Sequence, residues 1–191
     1  NFLVSIATNG IGSANGPSTD PVISGDGRYV VFYSSATNLV SGDVNAKADV
    51  FLRDTLTNTT TRISVATDGT EGDGASTYPS ISSNGRYVAF MSAATNLVAN
   101  DTNGVDDIFI RDLQDNTTTR ISVATAGTQA DGTSSYPAIS SDGRYVTFES
   151  AAANLVGVDT NGMVDIFLRD TQANSTTLVS VDSSGTQGNS V

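Results

Sequence analysis

The sequence predicts an all-β chain of three consecutive four-stranded antiparallel units, and three observations carry that prediction. A turn-bearing motif, Ser-x-Asp/Asn-Gly-Arg-Tyr-Val, recurs three times at an interval of 58 residues. Two further motifs recur at the same interval. Between them lie short runs rich in Val, Ile, Phe, Tyr and Thr, and the apolar periodicity of a helix appears nowhere.

The turn motif stands at Ser24-Gly25-Asp26-Gly27-Arg28-Tyr29-Val30, at Ser82-Ser83-Asn84-Gly85-Arg86-Tyr87-Val88 and at Ser140-Ser141-Asp142-Gly143-Arg144-Tyr145-Val146. The second motif is Phe51-Leu52-Arg53-Asp54, Phe109-Ile110-Arg111-Asp112 and Phe167-Leu168-Arg169-Asp170. The third is Asn38-Leu39-Val40, Asn96-Leu97-Val98 and Asn154-Leu155-Val156. A fixed period of this kind marks a repeat architecture.

In the second copy a first strand over 78–82 runs into Asn84-Gly85. Such a dipeptide between apolar runs predicts a tight hairpin with positive φ at both central residues. A second strand covers 87–92, and after a long loop a third covers 107–112 with Ile108, Phe109 and Ile110 at its centre. Asn116-Thr117 makes the next turn, and a fourth strand covers 119–124. Inner strands apolar on both faces need cover on both sides, so each unit reads as one blade between neighbours. A stacked-coil solenoid has a shorter period, roughly 20 to 30 residues, and a sandwich does not repeat itself so regularly. The expected architecture is a β-propeller.

The expected division is an outer strand of a preceding blade and its connection over 1–16, blades over 17–66, 67–124 and 125–182, and a connection toward a next blade over 183–191. Val4-Ser5-Ile6-Ala7 matches Ile63-Ser64-Val65-Ala66, so the formula is three blades plus one spare outer strand. Three blades are fewer than the roughly four to eight that close a ring. Two explanations stand: a segment of a longer array, or an assembling unit that makes half of a six-bladed ring or a link of a filament.

The run Ser-x-Asp/Asn-Gly-Arg-Tyr-Val-x-Phe-x-Ser, followed by Asn-Leu-Val and then Asp-Ile-Phe-x-Arg-Asp, resembles the WD-like propeller repeat of the TolB type over essentially the whole chain. The resemblance implies a bacterial β-propeller, usually exported to the periplasm or beyond, most often with six or more blades. It implies no single activity, since the repeat occurs in binding proteins, in periplasmic scaffolds and as an appendage to hydrolases. Function has to come from the site.

Twenty acidic residues stand against nine basic ones, Lys47 is the sole lysine, and histidine and cysteine are absent. Disulfides, thiolate and imidazole metal sites, and Ser-His-Asp or Cys-His machinery are thereby excluded. The acidic balance and the lack of a basic stripe speak against nucleic acid, and no apolar run is long enough for a membrane-spanning helix. The sequence opens at Asn1, from which a processed or excised chain is expected and export is plausible.

The best candidate for chemistry is the loop before the third strand. It carries Asp43, Asn45 and Asp49 in the first copy, Asp101, Asn103 and Asp107 in the second, and Asp159, Asn161 and Asp165 in the third. Alternating oxygen-bearing side chains on a tight turn can converge on a hard cation such as Ca²⁺. The spacing departs from the EF-hand loop: glycine falls at the fourth position, and the first copy has Ala46-Lys47 there. The competing reading is turn chemistry, in which Asp and Asn bond their own backbone. Should calcium bind, the second and third copies are expected to bind it better than the first.

Asn58, Asn116 and Asn174 open Asn-Thr-Thr or Asn-Ser-Thr triplets, which match a glycosylation acceptor and equally a polar turn. Arg53, Arg111 and Arg169 each precede an aspartate, but strand neighbours face opposite ways, so each is expected to pair with another strand. Arg28, Arg86 and Arg144 are read the same way. Catalysis would fall to carboxylates. Just two glutamates exist: Glu71 in a loop, and Glu149 in the place of Tyr33 and Met91. A catalytic site usually breaks symmetry, whereas these polar motifs recur, so no catalytic residue is assigned. The first functional reading is a non-catalytic extracellular or periplasmic module that binds a protein or polysaccharide ligand or assembles with other copies or further blades, with calcium as a possible stabiliser. The second is the propeller part of a carbohydrate-active hydrolase or lyase.

Overall fold

In the computed structural model the chain is described over residues 3–8, 10, 12–157 and 159–188, so parts of the expected terminal segments 1–16 and 183–191 lie outside the described residues. Blade 1 consists of β1 (Ser18–Ile23), β2 (Tyr29–Ser34), β3 (Asp49–Asp54) and β4 (Thr59–Arg62). Blade 2 repeats them as β5 (Ser76–Ile81), β6 (Tyr87–Ser92), β7 (Asp107–Asp112) and β8 (Thr117–Arg120). Blade 3 does so as β9 (Ser134–Ile139), β10 (Tyr145–Ser150), β11 (Asp165–Asp170) and β12 (Ser175–Leu178). Each sheet is an antiparallel meander in chain order.

The second and third strands lie where the sequence places them; the first and fourth are displaced for local reasons. In β5 the ladder slips between Thr77 and Ser80, and Tyr78 there takes a φ of +50°. Pro79 has no N–H to give to the ladder, and a bulge is how a strand accommodates that loss. The strand therefore begins upstream, at Ser76. The fourth strand stops at Arg120, short of 121–124. Ile121 still donates to Ile108 O at 2.7 Å, but Ile108 N–H is taken by the Ser122 hydroxyl at 3.1 Å. The chain is thereby released to cross to the next blade, where Thr118 Oγ1 of blade 2 donates to Val65 O and Thr176 Oγ1 of blade 3 to Val123 O.

This corrects the reading of the N-terminus. Val4-Ser5-Ile6-Ala7 matches the crossing segment, not a fourth strand. Val4 packs on Phe32, Leu39 and Phe51, and Ile6 forms an isolated bridge to Ser13, as Val65 does with Glu71 and Val123 with Gln129. The first hairpin is also corrected. Gly27, Gly85 and Gly143 have positive φ, while Asp26, Asn84 and Asp142 do not. Asp26 Oδ1 accepts from both the Ser24 hydroxyl and Arg28 N–H, which builds a longer reverse loop than a two-residue turn.

Blades meet through paired aromatics and aliphatics. Phe90 and Phe109 sit opposite each other in register, with ring centroids 5.9 Å apart, and press onto Val31, Val50, Leu52 and Ile63 of blade 1. Phe148 and Phe167 press in the same way onto Ala89, Ile108, Ile110 and Ile121 of blade 2. A second lock lies at the rim. The Tyr29 ring covers Gly85 of the next blade and the Tyr87 ring covers Gly143, so a Cβ at either glycine would overlap a ring. Beside Gly27 the space is open.

Gly85→Ala and Gly143→Ala therefore combine left-handed backbone strain, about 1–2 kcal/mol, with overlap, whereas Gly27→Ala bears the strain alone. Urea unfolding is expected to rank both interior substitutions as clearly more destabilising than Gly27→Ala; equal losses at all three would remove the ring lock.

Candidate functional site

The residues of each Asp-x-Asn-x-x-x-Asp loop converge at the start of the third strand. In the first copy Asn45 donates to Asp49 Oδ2 at 3.0 Å and to Gly72 O at 2.9 Å, tying the loop to the crossing segment, and Asn45 Oδ1 accepts from Lys47 N–H at 2.7 Å. Asn103 and Asn161 donate equivalently to Asp107 and Asp165 and to Ala130 O and Gly188 O. The fourth loop position needs positive φ, which Ala46 adopts at +55°, Gly104 at +69° and Gly162 at +67°. Glycine stands there in two copies for that backbone reason.

The last aspartate of each loop is buried and holds the serine of the crossing segment. Ser64 donates to Asp49 Oδ1 and accepts from Val50 N–H at 3.1 Å, and Ser122 and Ser180 repeat this with Asp107 and Asp165. Aspartate, serine and strand amide form a relay that replaces one ladder bond. Removing Ser122, which is fully buried, leaves Asp107 and the Ile108 amide each short of a partner, a loss of about 2–3 kcal/mol. Chemical denaturation of Ser122→Ala is expected to show that loss, and a smaller one for the part-exposed Ser180→Ala.

What fills the space between the carboxylates differs among the copies, and sequence reading missed these partners. In the first copy Arg62 Nη1 lies 3.6 Å from both Asp43 and Asp49 and bonds Glu71, and these three carboxylates come within 4.8 Å of one another. In the second, Arg120 Nη1 lies 2.9 Å from Asp101 and 3.3 Å from Asp107. In the third, Leu178 holds the arginine position and Gln187 Nε2 donates to Asp159 at 2.7 Å and Asp165 at 2.8 Å. The available signal was the period itself, since Arg62 and Arg120, and Glu71, Gln129 and Gln187, also recur every 58 residues. Any cation in the first two loops shares its carboxylates with a guanidinium.

The first copy crowds three carboxylates around one guanidinium. Burial, then the Asp49 charge, pushes Asp43 up to about 6 against the pull of Arg62, and Asp43 Oδ1 is buried without a hydrogen-bond donor. Burial also raises Asp49 and Asp101. Asp165 feels burial most, yet the bonds from Ser180, Gln187 and Asn161 together draw it down. A native Asp43 above its ordinary value of 3.8 binds its proton more readily than the unfolded chain does. Its contribution to stability is full below that value and is lost as pH rises through about 6. The melting temperature is expected to rise as pH falls from 7.5 to 5. Asp43→Asn should raise it at pH 7.5 and flatten that rise, Asp101 retaining part of it; an unchanged slope overturns the assignment.

The remaining charged motifs are consumed structurally. Arg28, Arg86 and Arg144 pair with Asp54, Asp112 and Asp170 at 2.6–2.7 Å and stack on Tyr29, Tyr87 and Tyr145. These bonds hold the three carboxyls below the usual range. Arg111 and Arg169 turn the other way, to Thr118 and Thr176 and to Ala66 O and Ala124 O of the preceding blade. Asn58, Asn116 and Asn174 all have positive φ in their hairpins, a conformation asparagine tolerates well. Glu149 is half-buried on β10, opposite Ile166. The inner strands bring Tyr78 and Tyr136 together with ring centroids 4.6 Å apart, and Tyr33 stands 6.0 Å from Tyr78.

No family model and no curated protein matches the chain. Solved structures do. TolB from Acinetobacter baumannii shares 19% identity over 95% of this chain and 37% of its own, with a TM-score of 0.53. A putative TolB from Agrobacterium tumefaciens shares 20% over 85% and 48%, at 0.55. The β-propeller domain of the Trilobed protease from Pyrococcus furiosus, described as having an open velcro topology, shares 17% over 85% and 41%, at 0.52. The chain spans less than half the length of each of these. At such identities the likeness concerns the fold alone: an open, all-β segment of propeller blades.

Proposed function

We propose that the chain is a non-catalytic, exported propeller module that works as a self-assembling structural unit through its two end faces. One observation carries this reading: the end faces are opposite halves of an interface that the chain already fills twice internally. Blade 1 presents the receiving half. Gly27 stands open where Gly85 and Gly143 are covered by tyrosine, and Pro21, Val22 and Ile23 are exposed although Pro79, Ile81 and Pro137 are buried or half-buried. Blade 3 presents the donating half. Tyr145 stacks under Arg144 as Tyr87 does under Arg86, and Ile166, Leu168, Val179 and Val181 are part-exposed where Ile108, Ile110, Ile121 and Val123 are buried.

The N-terminal segment covers part of the receiving face through Val4 and Ala14. Its counterpart 179–188 at the other edge takes the same place in a head-to-tail contact, so one of the two yields when copies join. Heterologous contacts of this kind make rings if the rotation closes and filaments if it does not. Export rests on the resemblance of the repeat to TolB-type propellers. Calcium meets a guanidinium competitor in the first two loops, which leaves the third, where Leu178 replaces arginine. A calcium-dependent rise in melting temperature that survives Asp101→Asn but not Asp159→Asn is the signature of that loop.

Sedimentation velocity of the full chain is expected to show concentration-dependent association that Leu168→Asp abolishes without unfolding the protein. A monomer at every concentration overturns the assembly reading. Polysaccharide cleavage abolished by Glu149→Gln overturns the non-catalytic one.

A further inference from the structure

Position 20 of blade 1 corresponds to Tyr78 and Tyr136, and position 149 of blade 3 to Tyr33 and Met91. At the boundary between blades 1 and 2 these two positions face each other. Tyr33 of blade 1 lies edge-on to Tyr78 of blade 2 at 6.0 Å, and Met91 of blade 2 packs into the core shared with blade 3. Both departures from this apolar pairing are acidic, and both fall on end faces: Asp20 is exposed on β1 and Glu149 is half-exposed on β10.

Resting on the assembly reading, we propose that Asp20 of one copy and Glu149 of the next meet across the head-to-tail junction, and that their repulsion sets how tightly two copies of this chain associate. The partner is a second copy, because the receiving and donating faces otherwise repeat the internal boundary. At Gly27, Ile23, Val30, Phe32 and Leu39 blade 1 carries the same or closely similar residues as blades 2 and 3.

Little around either carboxylate offsets the charge. Neither forms an ion pair among the described residues. Tyr33 and Tyr78 are the titratable side chains beside Asp20: Tyr33 is cross-strand from Thr19, and the charge of Asp20 reaches Tyr78. Glu149 faces the uncharged Ile166 and Ser135 along its ladders, and Asp165 belongs to the neighbouring rung with Ser150, on the opposite face of the sheet. Two like charges brought together as water is excluded oppose association, and exchanging one of them reverses the sign.

The test is sedimentation equilibrium of this chain at pH 7.5 and low salt. Glu149→Gln and Asp20→Asn are each expected to tighten association about tenfold, and the double variant no further than the better single, because either change removes the same pair. Glu149→Lys should tighten it most, and Asp20→Lys combined with Glu149→Lys should restore weak association. Asp115→Asn removes an equal charge from the rim of blade 2 and should change nothing. Association that responds to Asp115→Asn as strongly as to Glu149→Gln, or that adds fully in the double variant, overturns the pairing while leaving assembly intact. If no variant associates at any concentration, the assembly reading itself fails.

Discussion

Every blade of this protein depends on a neighbour because its third strand is buried on both faces. In β7 all three central residues, Ile108, Phe109 and Ile110, are almost wholly shielded, Phe109 toward blade 1 and Ile108 and Ile110 toward blade 3. Each such side chain contributes roughly 1.5–3 kcal/mol when covered and nothing when it is not. A lone four-stranded sheet lacks the neighbouring blade on both of these faces. The repeat folds as an array because each sheet supplies the cover that the next one lacks.

That constraint explains the polar residues as much as the apolar ones. A chain moving from the rim of one blade to the core of the next must leave its own ladder without stranding buried amides. The serine after each fourth strand takes over one ladder bond, the buried aspartate holds the serine, and the loop asparagine ties that aspartate to the crossing segment. Arg111 and Arg169 then clamp the crossing carbonyls on the far side. In the first two copies the row of candidate metal ligands also surrounds a guanidinium, that of Arg62 or Arg120.

The parts legible in sequence are those whose causes are local. The strands expected at 87–92 and 107–112 coincide with β6 and β7, because alternation and β-branched residues are read within the segment itself. The first and fourth strands shifted because proline removes a donor in one and a serine hydroxyl substitutes for a carbonyl in the other. The grouping of Asp43, Asn45 and Asp49 was legible from spacing. The arginine among them was not, since Arg62 lies on a different strand and reaches the loop only after the meander has formed. In the hairpin, expecting two left-handed residues failed because the Asp26 side chain satisfies a wider loop.

Where the repeat breaks is more informative than where it holds. Arg62 and Arg120 give way to Leu178, Val31 and Ala89 to Thr147, Tyr33 and Met91 to Glu149, and Tyr78 and Tyr136 are answered by Asp20. Leu178, Thr147 and Glu149 all lie in blade 3, and Asp20 in blade 1. Blade 2, covered on both sides, keeps hydrophobic or arginine residues at all four positions. A carboxylate at the Met91 or Tyr78 position would be pressed against the apolar and aromatic side chains of the next blade, a costly place for a charge. The same residue on an end face costs little in the isolated chain and acts only when something docks there. In the proposed assembly, those outer faces are where substitutions can adjust association without disturbing the fold.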